Sequence, residues 1–118
     1  MWRKLFNRRK HPRFVAAQNT YIVFQQNTQN ERKLPIVKIS EEGCEFIYQG
    51  DEEDLEKVCD VALMSDNDIY LDRIKISTIS NKLASGPYKK RSVVFRPQGS
   101  LEKEKLKRFI AKVSVCKT

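Results

Sequence analysis

Apolar and polar residues alternate along most of the chain, and a helical spacing of apolar residues takes over only near the end. The first dense run, Tyr21-Ile22-Val23-Phe24 with Ala16-Ala17 ahead of it, predicts a strand over residues 15–26. The polar cluster that follows, with Asn27, Thr28 and Asn30, predicts a turn. A second strand is predicted over 34–40, where Pro35 fits only near the strand's start or on an edge. A third follows over 44–48 with Phe46 and Tyr48 on one side.

Residues 49–56 form an acidic loop with room for one helical turn. Residues 57–64 alternate again and predict a strand with one wet face. Ser65-Asp66-Asn67-Asp68 has the chemistry of a four-residue hairpin turn. Its acidic pair lacks the ligand count of a calcium loop. In the long run 69–80, Ile69 and Leu71 are out of phase with Ile74, Ile76 and Thr78, so a bulge is expected near Asp72-Arg73. A turn containing Gly86-Pro87 then leads to a last strand over 91–97.

Leu106, Phe109, Ile110 and Val113 make a single helical stripe. Ser100 is expected to cap this helix, with Glu102 and Glu104 in its first turn and its end near residue 115. Six strands before one terminal helix predict an all-β fold: a six-stranded antiparallel β-barrel capped by a C-terminal α-helix. The stripe is also compatible with a basic amphipathic membrane helix, provided that it is exposed.

At 118 residues the chain suits one core. Its net charge of +8 is unevenly spread: residues 1–30 carry six basic and no acidic groups, 31–99 eleven against thirteen, and 100–118 six against two. A field of this sign favours anionic partners. Residues 1–13 are expected to form a basic arm ahead of a domain spanning 14–118; the spacing of Trp2, Leu5 and Phe6 in that arm fits one short helical face that docks on the barrel or on another chain, and equally a partly ordered start with a few apolar residues. No apolar run reaches the length of a membrane span and no secretory leader is evident, so a cytoplasmic protein is expected. Three cysteines without CxxC spacing and a single histidine indicate neither a zinc site nor a disulfide framework. There is no nucleophile with a base and an orienting group and no Gly-rich phosphate loop, which leaves a binding module rather than an enzyme, with no cofactor.

The candidate binding residues are Arg8, Arg9 and Arg13, whose planar forks grip a phosphate or a guanine edge with paired hydrogen bonds, and Lys38, Ser40 and Gly43 in the bend that follows. Gly43 is expected to supply a left-handed or bulged backbone there. Arg9-x-x-x-Arg13 followed by x-x-Ser40-x-x-Gly43, the wording Arg-Arg-Lys-His-Pro-Arg-Phe, and the closing strand and helix resemble the PilZ domain, a bacterial module that binds cyclic di-GMP through RxxxR and [D/N]xSxxG. The resemblance implies a cyclic di-GMP receptor, a monomer or weak dimer, that changes conformation and passes its signal to an effector protein controlling motility, attachment or exopolysaccharide output. One position departs from the pattern. Lys38 stands where the family has Asp or Asn, and an ammonium offers donors only. A PilZ-like interaction module that no longer binds the nucleotide therefore stands as an alternative. A basic nucleic-acid-binding barrel is a third reading, against which the net acidic middle of the chain counts.

Overall fold

The period-two alternation is realised as a continuous antiparallel sheet that curls into a closed barrel. The computed structural model describes residues 11–118. Its strands are β1 (Phe14–Ala16), β2 (Thr20–Phe24), β3 (Arg32–Ile39), β4 (Gly43–Gln49), β5 (Val58–Ser65), β6 (Asp68–Leu83), β7 (Tyr88–Arg96) and β8 (Ser114–Lys117). A 3₁₀ turn (Glu52–Asp54) lies in the acidic loop, and helix α1 (Ser100–Val113) follows β7. The strand order is β2-β5-β6-β7-β4-β3, and β3 pairs back onto β2, so six strands close into the predicted barrel. The short strands β1 and β8 extend the sheet outward from β3.

Inward positions of all six strands form one core, from Ile22 and Phe24 through Phe46, Leu63 and Ile76 to Phe95. Helix α1 joins it through the predicted stripe: Leu106, Phe109, Ile110 and Val113 are its buried residues, and Phe109 packs against Tyr70 of β6. The stripe is thus a core face, not an exposed membrane face. Among the described residues, no helix is long and apolar enough to cross a membrane.

Bulges set which way each side chain points. Val61 pairs with Ile74 but Leu63 with Leu71, so β6 carries an extra residue at Asp72-Arg73, where the phase slip predicted it. Further register shifts were not predicted, two of them beside one end of the barrel. On β3, Ile36 pairs with Phe46 and Lys38 with Glu45, which leaves Val37 over. On β6, Thr78 pairs with Val93 and Ser80 with Ser92, which leaves Ile79 over.

Several boundaries differ from expectation. The predicted first strand is two strands, because the chain turns at residues 17–19: Asn19 is left-handed and the Thr20 hydroxyl donates to Ala17 O at 2.7 Å. Pro35 lies in the body of β3 opposite Tyr21, tolerated there because pairing with β4 begins only at Ile36. The outer face of β5 is wet only over its first half: Val58 and Asp60 are exposed, whereas Ala62 and Met64 are buried with Val23 in a separate cluster against which Tyr21 packs. The 65–68 hairpin turns on two residues, Asp66 and Asn67, with Asp66 left-handed. The helix is capped by Gly99, not Ser100, and the Glu102 carboxylate accepts from Gln98 N–H at 3.0 Å. It also stops two residues early: the Ser114 hydroxyl donates to Ile110 O at 2.6 Å and the backbone turns extended into β8.

Arg91 is fully buried, an unusual place for a guanidinium. Its Nε donates to Asn81 Oδ1 at 2.8 Å, its Nη1 to Leu55 O at 3.1 Å and its Nη2 to Glu52 O at 2.9 Å, while the Tyr48 ring lies 5.3 Å away. The Tyr48 hydroxyl donates to the same Asn81 oxygen at 2.8 Å. This fork holds the 52–56 loop across one end of the barrel. Arg91→Met, which keeps the bulk and removes the donors, is expected to lower unfolding free energy by about 3 kcal/mol in chemical denaturation and to speed amide exchange in residues 52–57. Unchanged stability would contradict this role.

Candidate functional site

Residues 11–13 are placed by the strand that follows them. Phe14 pairs with Ile39 and Val15 with Lys38, so the next step of the ladder lays Arg13 beside Ser40. The other edge of β1 is held by β8, and Arg13 O accepts from Thr118 N–H at 2.9 Å. His11 continues over the bend, with its Nδ1 3.9 Å from Glu41 Oε1. Chain segments far apart in sequence thereby share one end of the barrel.

A groove of about 570 Å³ opens there on the outer wall, within the size range of small-ligand pockets. Arg13, Lys38, Ser40 and Gly43, four of the six candidate residues, line it together. Arg8 and Arg9 lie outside the described residues, as do Trp2, Leu5 and Phe6.

The bend is built by its own small groups. Ser40 is buried; its N–H donates to Gly43 O at 2.8 Å and its hydroxyl oxygen accepts from Glu42 N–H at 3.1 Å. Ser40 therefore holds the turn, and the hydroxyl proton is its remaining donor. Gly43 has no left-handed backbone, contrary to expectation. Glycine is required for a different reason: a Cβ at this position would fall 2.0 Å from Val93 O on the neighbouring strand. The Glu42 carbonyl also accepts from Phe95 N–H at 2.8 Å, so the bend is bonded directly to β7.

Arg96, Glu45, Ile79 and Ser92 also line the groove and were not among the candidates. Arg96, which ends β7, donates from Nε to Ser77 Oγ at 3.0 Å. Among the described residues three cations, Arg13, Lys38 and Arg96, face three carboxylates, Glu41, Glu42 and Glu45. The groove thus offers both anion-binding donors and acceptors. Only the barrel's register brings these residues together, so nothing local in the sequence marked them.

The thiols stand apart from this chemistry. Cys44 is buried under the groove, and burial pushes its thiol far above the ordinary range, with Glu45 adding to the shift. Burial, then the charges of Glu56 and Asp60, raise Cys59 to about 11 against a weaker opposing effect of Arg91. Neither is an activated nucleophile.

No family model and no curated protein matches the sequence. Solved structures do match the fold. MrkH of K. pneumonia in complex with c-di-GMP superposes with a TM-score of 0.68 at 18% identity, covering 89% of this chain and 51% of that one. The PilZ domain of YcgR from Escherichia coli with c-di-GMP gives 0.62 at 16% identity, covering 90% and 91%. The Bacillus subtilis inhibitor of motility MotI/DgrA gives 0.55 at 14% identity, covering 89% and 50%. The chain spans about half the length of MrkH and nearly all of the YcgR PilZ domain. The architecture is PilZ-like: a six-stranded antiparallel barrel with a C-terminal helix.

Gly43→Ala forces its methyl group into the β7 backbone, where nothing flexible can yield. It is expected to cost about 1–3 kcal/mol in thermal or chemical unfolding. An alanine variant as stable as the parent would refute the close approach.

Proposed function

We propose that the groove is a receptor site for cyclic di-GMP, and that the protein is a cytoplasmic receptor or adaptor whose basic arm closes over the bound ligand. The observation that carries this reading is the strand pairing that lays Arg13 beside the Ser40–Gly43 bend. It sets a guanidinium next to a compact turn whose serine hydroxyl keeps a proton without an acceptor among the described residues, the two halves of the sequence pattern that resembles RxxxR and [D/N]xSxxG. The ligand's two phosphates call for cations and forks, which Arg13, Lys38 and Arg96 offer in the groove and Arg8 and Arg9 add from the arm. Two of the structural neighbours were solved with c-di-GMP, which supports the same reading.

Drawing an arm onto a rigid barrel changes the surface at one end of the molecule, and an effector protein reads that change. Control of motility, attachment or exopolysaccharide output is the outcome that the resemblance implies.

The charge balance of the groove favours a second reading. Among the described residues three carboxylates offset the groove's three cations, and Lys38 cannot accept the donors of a guanine. On that reading the barrel is an interaction module without a nucleotide.

Isothermal calorimetry with cyclic di-GMP separates the two. The first reading gives micromolar binding, weakened about ten- to a hundredfold by Arg13→Ala, the loss of charge-assisted bonds worth about 1.5–3 kcal/mol. Absence of heat up to millimolar ligand, with binding created by Lys38→Asp, selects the second.

A further inference from the structure

We propose that Glu45 is the acceptor in this groove for the donor edge of a guanine base, replacing from the neighbouring strand the acceptor that Lys38 lacks. This rests on the reading of the groove as a cyclic di-GMP site. A guanine presents N1–H and an exocyclic amino group along its pairing edge, so its recognition needs an acceptor, best a carboxylate that takes both donors.

The bulge at Val37 decides where that acceptor stands. It shifts the β3 ladder by one residue, so that Ile39 points into the core and Lys38 lies directly opposite Glu45 on the outer wall. Directly opposed residues have Cβ atoms about 4.5–5.5 Å apart, so a carboxylate at 45 reaches the space served by a side chain at 38. Glu45 is in turn opposite Ser92 of β7, and Lys38, Glu45 and Ser92 form one row across the groove.

The Glu45 carboxylate also has unused accepting capacity. Its Oε1 is shut off from solvent, yet it has no hydrogen-bond partner among the described residues. Lys90 Nζ is 3.8 Å away, near enough for charge attraction and too far for a hydrogen bond. A buried acceptor without a donor is costly, and since the Glu45 side chain as a whole is 23% exposed, turning this oxygen from the Lys90 side into the groove lets a ligand N–H remove that cost.

The other two carboxylates fit less well. Glu41 stands 3.9 Å from the His11 ring, and Glu42 is exposed on the bend, facing water. Glu45 alone of the three is in register with Lys38.

The test compares cyclic di-GMP with its inosine analogue, which lacks the exocyclic amino group, by calorimetry, with thermal melts confirming that each variant is folded. The unmodified protein is expected to bind the analogue about tenfold more weakly. Glu45→Ala should bind cyclic di-GMP about tenfold more weakly and no longer distinguish the two ligands. Adding Lys38→Asp to Glu45→Ala returns an acceptor from the opposite strand and should restore both affinity and discrimination. Full affinity and discrimination in Glu45→Ala overturns the assignment while leaving the cyclic di-GMP reading intact. Binding of neither ligand by the unmodified protein overturns both.

Discussion

The backbone hydrogen bonds on the two edges of β1 are what the site depends on. Of its three residues, Phe14–Ala16, the first two pair with β3 on one side and all three with β8 on the other. A three-residue strand held along one edge would be marginal. Helix α1 solves this by packing its apolar stripe on the core and delivering β8 to the outer edge of β1. Arg13 reaches the bend because the docked helix brings β8 to β1, so stability and site geometry share one cause.

The same economy runs through the barrel walls. Gly43 lets β4 press against β7 at the upper end, and Arg91 ties the acidic loop across the other end through backbone carbonyls. Between them, bulges at Val37 and Ile79 turn side chains toward the groove. The result is a fairly rigid wall with mixed charge, against which residues 11–13 lie as a border. A small ligand with both anionic groups and a donor edge matches such a wall better than a polyanion, which the carboxylates would repel.

Much of the fold was legible because its hydrophobic pattern is strong. The helix stripe and the bulge at Asp72-Arg73 both follow from counting phase in long runs. The features that escaped depend on partners distant in sequence. Strand β8 is four residues with no alternation and exists through its pairing with β1. The need for glycine at 43 comes from Val93, and the burial of Arg91 from carbonyls of the 52–56 loop. Of the candidate site, the Arg13, Lys38, Ser40 and Gly43 grouping was readable from motif order, whereas Glu45 and Arg96 needed the strand register.

On the proposed reading, residues just ahead of β1 and the Ser40–Gly43 bend form one binding surface. Titration of the isotopically labelled protein with cyclic di-GMP, followed by backbone amide shifts, tests it most directly. Amides of residues 8–11, 13 and 38–43 are expected to move together along one saturating isotherm. Shifts confined to other parts of the barrel, or none at millimolar ligand, would contradict it.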